Sequence, residues 1–311
     1  MANILITGGA GFIGYHLQHK LLSKHQVNAI DLILNPTPAI ALRLANLQRI
    51  THANIQSNFL SELKTRPDVV VHLAAETGIA GSLTNPDLYF NTNVAGTFNV
   101  LEQCRKNGVK FLIYASSSSV YAPNQKVMHE DGDTENQLSF YGTTKKMGEV
   151  MVENYCKQFG ITAIGLRFFT VYGSYTRPDM AAYKFMHAIK SGNPVTLYND
   201  GNVMRDFTHV SDIVKSIELL IEKVVDEPEG NHLLFNIGYG APVSVKKYAH
   251  QIAYELEKQV TFEDKPLPKN ELVSTHSNTS KLAAYIGYNP KCTLEQGVKE
   301  MVNWFKVNAY E

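Results

Sequence analysis

Tryptophan occurs once and cysteine three times in the 311 residues. Cys104, Cys156 and Cys292 are odd in number and far apart, which excludes a disulfide framework and the close spacing of a zinc site. No metal is therefore expected, and a reducing cytoplasmic compartment is the default. Net charge is also missing. Lys plus Arg and Asp plus Glu both number 29, so no overall field draws the chain to nucleic acid or an anionic membrane, and any anionic ligand has to be held by local groups. No run of about eighteen apolar residues offers a membrane span. The opening MANILITGG has neither the basic start nor the long apolar run of a secretory signal, and no internal repeat is visible. What remains is the ordinary balance of a globular protein, 44% hydrophobic and 19% charged, with enough chain for one large domain or two interlocked ones.

Short β-rich runs alternate with helical patterns through the first half. NILIT, QVNAID, VVVHLA and FLIYAS are nearly continuous in apolar residues, as strands buried on both faces are. Residues 12–22, 85–104 and 141–159 carry apolar side chains at helical spacing. That order predicts a Rossmann-like α/β fold, a doubly wound parallel sheet with helices on both faces. After residue 170 the pattern loosens, and a smaller α/β substrate domain is expected from 171–204 and 239–311, with 205–238 returning to the cofactor domain at 1–170.

TGGAGFIG, residues 7–14, follows the first strand and opens the first helix. Gly8 permits a tight turn, Gly11 lets the backbone approach a pyrophosphate, and Gly14 lets helix and strand pack closely. The helix N-terminus, including Phe12 and Ile13, then presents free N–H groups to phosphates. A plain strand-to-helix turn is the alternative. Asp31 ends the second strand, seventeen residues after Gly14, where a carboxylate accepts from a ribose diol and repels a 2′-phosphate. NAD is therefore expected over NADP, unless Asp31 is only a turn cap.

FYGTTKKMGE sets Tyr141 and Lys145 four apart at a helix start, on one face. A lysine ammonium beside a phenol favours the phenolate, so Tyr141 could act as a general base. The bland reading is a half-exposed helix face. YASSSSVY, residues 114–121, ends a buried strand in four serines, which either meet a ligand or cap their own backbone.

Together TGGAGFIG, HLAA (72–75), the serine strand and YGTTK resemble the extended short-chain dehydrogenase/reductase superfamily in its nucleotide-sugar branch. LRFFTVYG (166–173), RPDMAAYKF (177–185) and MRDFTHVSDIV (204–214) most resemble the UDP-glucuronate 4-epimerases. The resemblance implies that Ser117 orients the sugar hydroxyl being oxidised, with Ser116 and Ser118 beside it. Relatives that eliminate water have Asp-Glu where Ser118 and Ser119 stand, and decarboxylases have Glu at the position of Ser119. Neither carboxylate is present, which leaves oxidation and re-reduction.

The same resemblance implies further contacts. Asn58 stands at an adenine-binding position, Phe169 helps shape the nicotinamide pocket, Lys145 holds the nicotinamide ribose, and Phe59, Leu73, Ala74, Ala75, Asn93, Ser116 and Tyr141 are further cofactor-binding positions. Thr170 and Arg205 fall on the substrate side. Arg205 matches a diphosphate-binding arginine, with a surface ion pair to Asp206 or Asp200 as the alternative. Arg177 matches the arginine that reads the sugar carboxylate with its bidentate fork, unless it only pins its own loop. Several positions depart from the pattern. Residues 77–82 replace a more polar loop with an Arg near Ala80, Asn58 stands for an Asp, Pro268 for a second phosphate-binding Arg next to Lys269, and LILNPTPAIAL after Asp31 lacks the usual tyrosine. A homodimer formed through the helix after Asn93 and the Tyr141 helix is implied as well.

Overall fold

The structure is a computed structural model that describes residues 1–33, 37–47, 50–63 and 65–308. Part of the departure noted after Asp31, residues 34–36, lies outside them. Seven strands form one sheet in the order His232–Ile237, Thr162–Phe168, Phe111–Ser117, Val69–His72, Asn3–Thr7, Gln26–Asp31, Thr51–His52. Every neighbouring pair is parallel. Chain order reverses between Asn3–Thr7 and Val69–His72, which opens a crevice at the carboxyl ends of those two strands, where ligands of such sheets bind.

The central strands are buried on both faces because both faces are covered. One apolar cluster joins Ile4, Ile6, Val69, Val71 and Ile113 to the helices Phe12–Leu21 and Val210–Val224. The other joins Leu5, Val70, Leu112 and Ala163 to Val100, Leu101 and Val152 on the opposite side. A third cluster lies away from the sheet and is built from Tyr183, Phe185, Met186, Tyr248, Ile252, Val302 and Phe305. Among the described residues no helix is long and apolar enough to cross a membrane.

One local departure from the periodicity matters. The expected helix over 85–104 is divided into Pro86–Tyr89, a wider π-helical turn at Phe90–Ala95 and Gly96–Asn107; π-turns are frequent at functional sites. RPDM is loop, because the next helix starts only at Ala181 with Met180 as its cap. The Phe140–Phe159 helix begins where the Ser139 side chain accepts from the Gly142 N–H at 3.1 Å, and it ends at Gly160 in the left-handed region, φ 70°.

Candidate active site

The glycine loop lies at the crevice. Gly8 has φ 74°, and a Cβ there would sit 2.6 Å from the Ala74 nitrogen; one on Gly14 would sit 2.2 Å from the Gly8 carbonyl oxygen. Only glycine lets this loop pack against the end of the neighbouring strand and the helix pack against the loop. The Phe12–Leu21 helix has no side-chain cap and no acid in its first turn, so its positive end is left for an anion. Phe12 is buried and Ile13 is partly buried against the sheet core, so both would meet a cofactor through their backbone. Asp31 Oδ2 accepts from the Ala10 N–H at 2.8 Å. Burial raises its carboxyl above the usual range against the pull of that bond and of Arg43. The donor set fits a dinucleotide with an unphosphorylated ribose.

Of the other expected cofactor residues, Leu73 and Ala74 lie against this loop. The Leu73 N–H donates to the Thr7 carbonyl at 3.0 Å and the Ala74 N–H to the Thr7 hydroxyl at 3.3 Å. With Ala75 they form a partly buried strand end facing Gly8. Asn93 is buried, and its amide is committed to both main-chain groups of Glu76 and to the Thr144 hydroxyl, within 3.0 Å. Asn58 is exposed and its carbonyl caps the Phe59–Glu62 turn. The Phe59 side chain is 1% exposed inside the core, which leaves only its backbone for a cofactor. Phe169 packs with Val120, Tyr121 and Met128.

The serine strand meets the Tyr141 helix directly. The Ser117 hydroxyl accepts the Ser119 N–H at 3.1 Å, so it caps its own backbone, and it also lies where it pulls the Tyr141 phenol down. Ser116 points the other way, its hydroxyl donating to Glu149 Oε1 at 2.7 Å; any cofactor contact there falls to its backbone. Ser118 and Ser119 are partly buried in the short turn that follows. Lys145 is buried, donates to the Ala115 carbonyl at 3.0 Å and stands 6.0 Å from the centre of the Tyr141 ring. Burial lowers its ammonium to about 8.

The expected depression of the Tyr141 phenol by Lys145 is not what this enclosure produces. Burial pushes the phenol above its ordinary value, and the opposing pull comes from the Ser117 hydrogen bond and the Arg177 charge. Desolvation penalises the phenolate more than the nearby dipoles and charge favour it.

On the substrate side, Thr170 is partly buried, with its N–H donating to the Asp206 carbonyl at 3.0 Å. Arg205 pairs with Glu271 at 2.9 Å. It does not pair with Asp206, whose buried carboxylate is taken by the N–H groups of Tyr239, Gly240 and Ser277. Glu271, Lys269 and Lys126 line one open cavity. Arg177 forks onto Asp179, with Nε–Oδ1 at 2.9 Å and Nη2–Oδ2 at 2.6 Å, while Nη1 donates to the Thr77 hydroxyl. Tyr89 closes the circle. Its hydroxyl donates to the carbonyls of Thr77 and Gly78, and its ring stands edge-on to Tyr141 at 6.2 Å.

Sequence reasoning missed three supports. Arg167 is bidentate to Glu149, at 2.8 and 2.9 Å, behind the serine strand. A charge inside the apolar run LRFF was the signal for it. His72 joins Thr7 and Thr97 below the glycine loop, at 2.7 and 3.1 Å. Arg43, 2% exposed, donates to the carbonyls of Ala10 and Tyr175 at 2.6 and 2.9 Å. It thereby ties the cofactor loop to the segment that leads into Arg177.

A glycine-lined helix end at the switch point of a parallel sheet, with a Ser–Tyr–Lys group at the carboxyl end of another strand of that sheet, is the arrangement of a dinucleotide-dependent enzyme. The chain belongs to the NAD-dependent epimerase/dehydratase family, which matches residues 4–238. It is 38% identical to an uncharacterized protein of Methanocaldococcus jannaschii, over 98% of this chain and 97% of that one. It is 32% identical to the UDP-glucuronate 4-epimerase of Thermodesulfobacterium geofontis, over 99% and 97%. The crystal structure of UDP-glucuronic acid 4-epimerase from Bacillus cereus, in complex with UDP-glucuronic acid and NAD, superposes with a TM-score of 0.90 at 30% identity, covering 98% of this chain and 99% of that one.

Proposed function

We propose that this chain is an NAD-dependent UDP-glucuronate 4-epimerase, interconverting UDP-glucuronate and UDP-galacturonate through a transient 4-keto sugar. Bound NAD supplies the hydride acceptor and donor for carbon 4. The chain's own groups manage the proton and the sugar. Tyr141 in its phenolate form takes the proton of the 4-hydroxyl and later returns it, and Ser117, beside the phenol, orients that hydroxyl. Lys145 carries positive charge beneath them. Arg205 and Lys269 serve the diphosphate, Thr170 and Ser118 the sugar, and Arg177 its carboxylate.

The single observation that carries the reading is that Arg177 donates to Thr77, whose carbonyl accepts from Tyr89, whose ring stands edge-on to Tyr141 at 6.2 Å, which sets the arginine beside the Tyr141 and Lys145 pair. A 4-ketone beside a 5-carboxylate is a β-keto acid, prone to lose carbon dioxide. An arginine that clamps the carboxylate out of alignment with the ketone protects the intermediate. The experiment is incubation of purified protein with UDP-glucuronate and substoichiometric NAD, followed by NMR of the sugar. Galacturonate in excess of the NAD present supports the reading. A pentose product makes the chain a decarboxylase, turnover of UDP-glucose alone makes it a neutral-hexose epimerase, and no turnover of any UDP-sugar leaves a non-catalytic dinucleotide sensor.

The same reading assigns 1–170 with 205–238 to the cofactor and 171–204 with 239–311 to the sugar nucleotide, in the cytoplasm. A homodimer is part of it. Phe98 on one helix, and Met147 and Val150 on the Tyr141 helix, are exposed apolar side chains that pairing of two copies would cover. Sedimentation of the purified protein tests this, with Val150→Glu expected to yield monomers.

A further inference from the structure

Arg177 has two edges through which a guanidinium can grip a carboxylate, and both are in use. The Nε–Nη2 edge holds Asp179, and Nη1 holds Thr77. With Thr77 held on Nη1, a sugar carboxylate can take the Nε–Nη2 edge only where Asp179 lets go. We propose that Asp179 is a specificity-determining residue, an internal carboxylate that a substrate carboxylate must replace on Arg177. The inference rests on the proposed UDP-glucuronate activity and adds to it the residue that sets the selectivity for acid sugars.

The physical argument is one of exchange. Swapping one carboxylate for another on the same fork keeps the charge-assisted bonds in number and kind. The released Asp179 side chain is 59% exposed, against 28% for Arg177, so water receives the acid that leaves while the arginine stays partly enclosed. Thr77 holds Nη1 throughout, and Tyr89 holds Thr77 through its carbonyl, so the guanidinium changes partner without losing its seat. A hydroxymethyl group offers no such replacement and leaves the Arg177–Asp179 pair closed. Glu76 adds to the pressure: it is a second acid in the fields of both Arg177 and Asp179, and burial holds its carboxyl above the usual range. A sugar carboxylate arriving at Arg177 repels Asp179, so its entry drives Asp179 outward to solvent.

The test compares unmodified protein, Asp179→Asn and Asp179→Glu, each with NAD, for KM and kcat on UDP-glucuronate and for equilibrium binding of UDP-glucuronate and UDP-glucose. Removing the internal competitor in Asp179→Asn is expected to tighten UDP-glucuronate binding and lower its KM about five-fold, the scale of a half-exposed ion pair. UDP-glucose binding should stay where it was, and Asp179→Glu should return UDP-glucuronate affinity toward the unmodified value. Unchanged or weaker UDP-glucuronate binding in Asp179→Asn overturns the exchange, and so does an equal gain for both sugars. Should Asp179→Asn melt at lower temperature, Asp179→Ser is read by the same ratio of the two sugars, which partial unfolding does not move. Failure of the unmodified protein to bind or turn over UDP-glucuronate strikes the functional reading itself, and the exchange with it.

Discussion

Gly142 lies against the main chain of Ser119, so close that a Cβ on it would stand 2.2 Å from the Ser119 carbonyl oxygen. This contact sets the distance between the start of the Tyr141 helix and the serine turn. Gly142→Ala must push the two apart, and a displacement of about 1 Å at reacting groups lowers turnover on the order of 10²-fold. Epimerisation rates should show the loss in kcat, with KM for the UDP-sugar changed far less.

Tyr141→Phe removes the proposed proton acceptor and leaves the ring in place beside Tyr89. Loss of a positioned acid–base group lowers kcat by roughly 10²–10⁴-fold. Affinity for the UDP-sugar should persist, and titration calorimetry alongside turnover separates the two effects.

Glu149 and Arg167 are both buried, and their side chains are 3% and 2% exposed. Burial raises the Glu149 carboxyl, but the Arg167 guanidinium more than offsets this and holds it below the usual carboxylate range. Glu149→Ala leaves Arg167 buried without its partner and frees Ser116, a loss of about 3–5 kcal/mol. Replacing both by apolar residues of similar volume should recover most of that loss. Urea unfolding of the single and double variants checks both statements.

His72 accepts from the Thr7 hydroxyl and donates to Thr97, whose own hydroxyl donates to the Asn93 carbonyl, so the ring is neutral with its proton on Nε2. Burial, helped by the Lys145 charge, lowers it to about 3. An unfolded histidine titrates near ~6.5, so the unfolded chain binds the extra proton first as pH falls. The contribution is fully present above that value and is lost progressively down to about pH 3, amounting to a few kcal/mol on the order-of-magnitude scale. The urea midpoint should fall over that window, and His72→Gln should flatten the slope.

Much of the cofactor half was legible from residues close together in the chain. TGGAGFIG carries its own turn and helix start, and strands such as VVVH are apolar throughout because both sheet faces are covered. Tyr141 and Lys145 share a helix face by spacing alone. The field on the phenol was not legible, because its environment is made by Ser117 and Arg177 from other segments and by burial under all of them.

Arg177 shows the same division. Its place in the RPDM loop makes it a candidate for the sugar carboxylate by resemblance. That its fork rests on Asp179 and Thr77, the latter a hundred positions away in sequence, is settled by chain packing. Local stereochemistry follows from neighbouring residues, and so the strands, helices and glycine turn could be read directly. Electrostatics at the site depends on desolvation and on through-space distances between segments, and only the folded arrangement sets those.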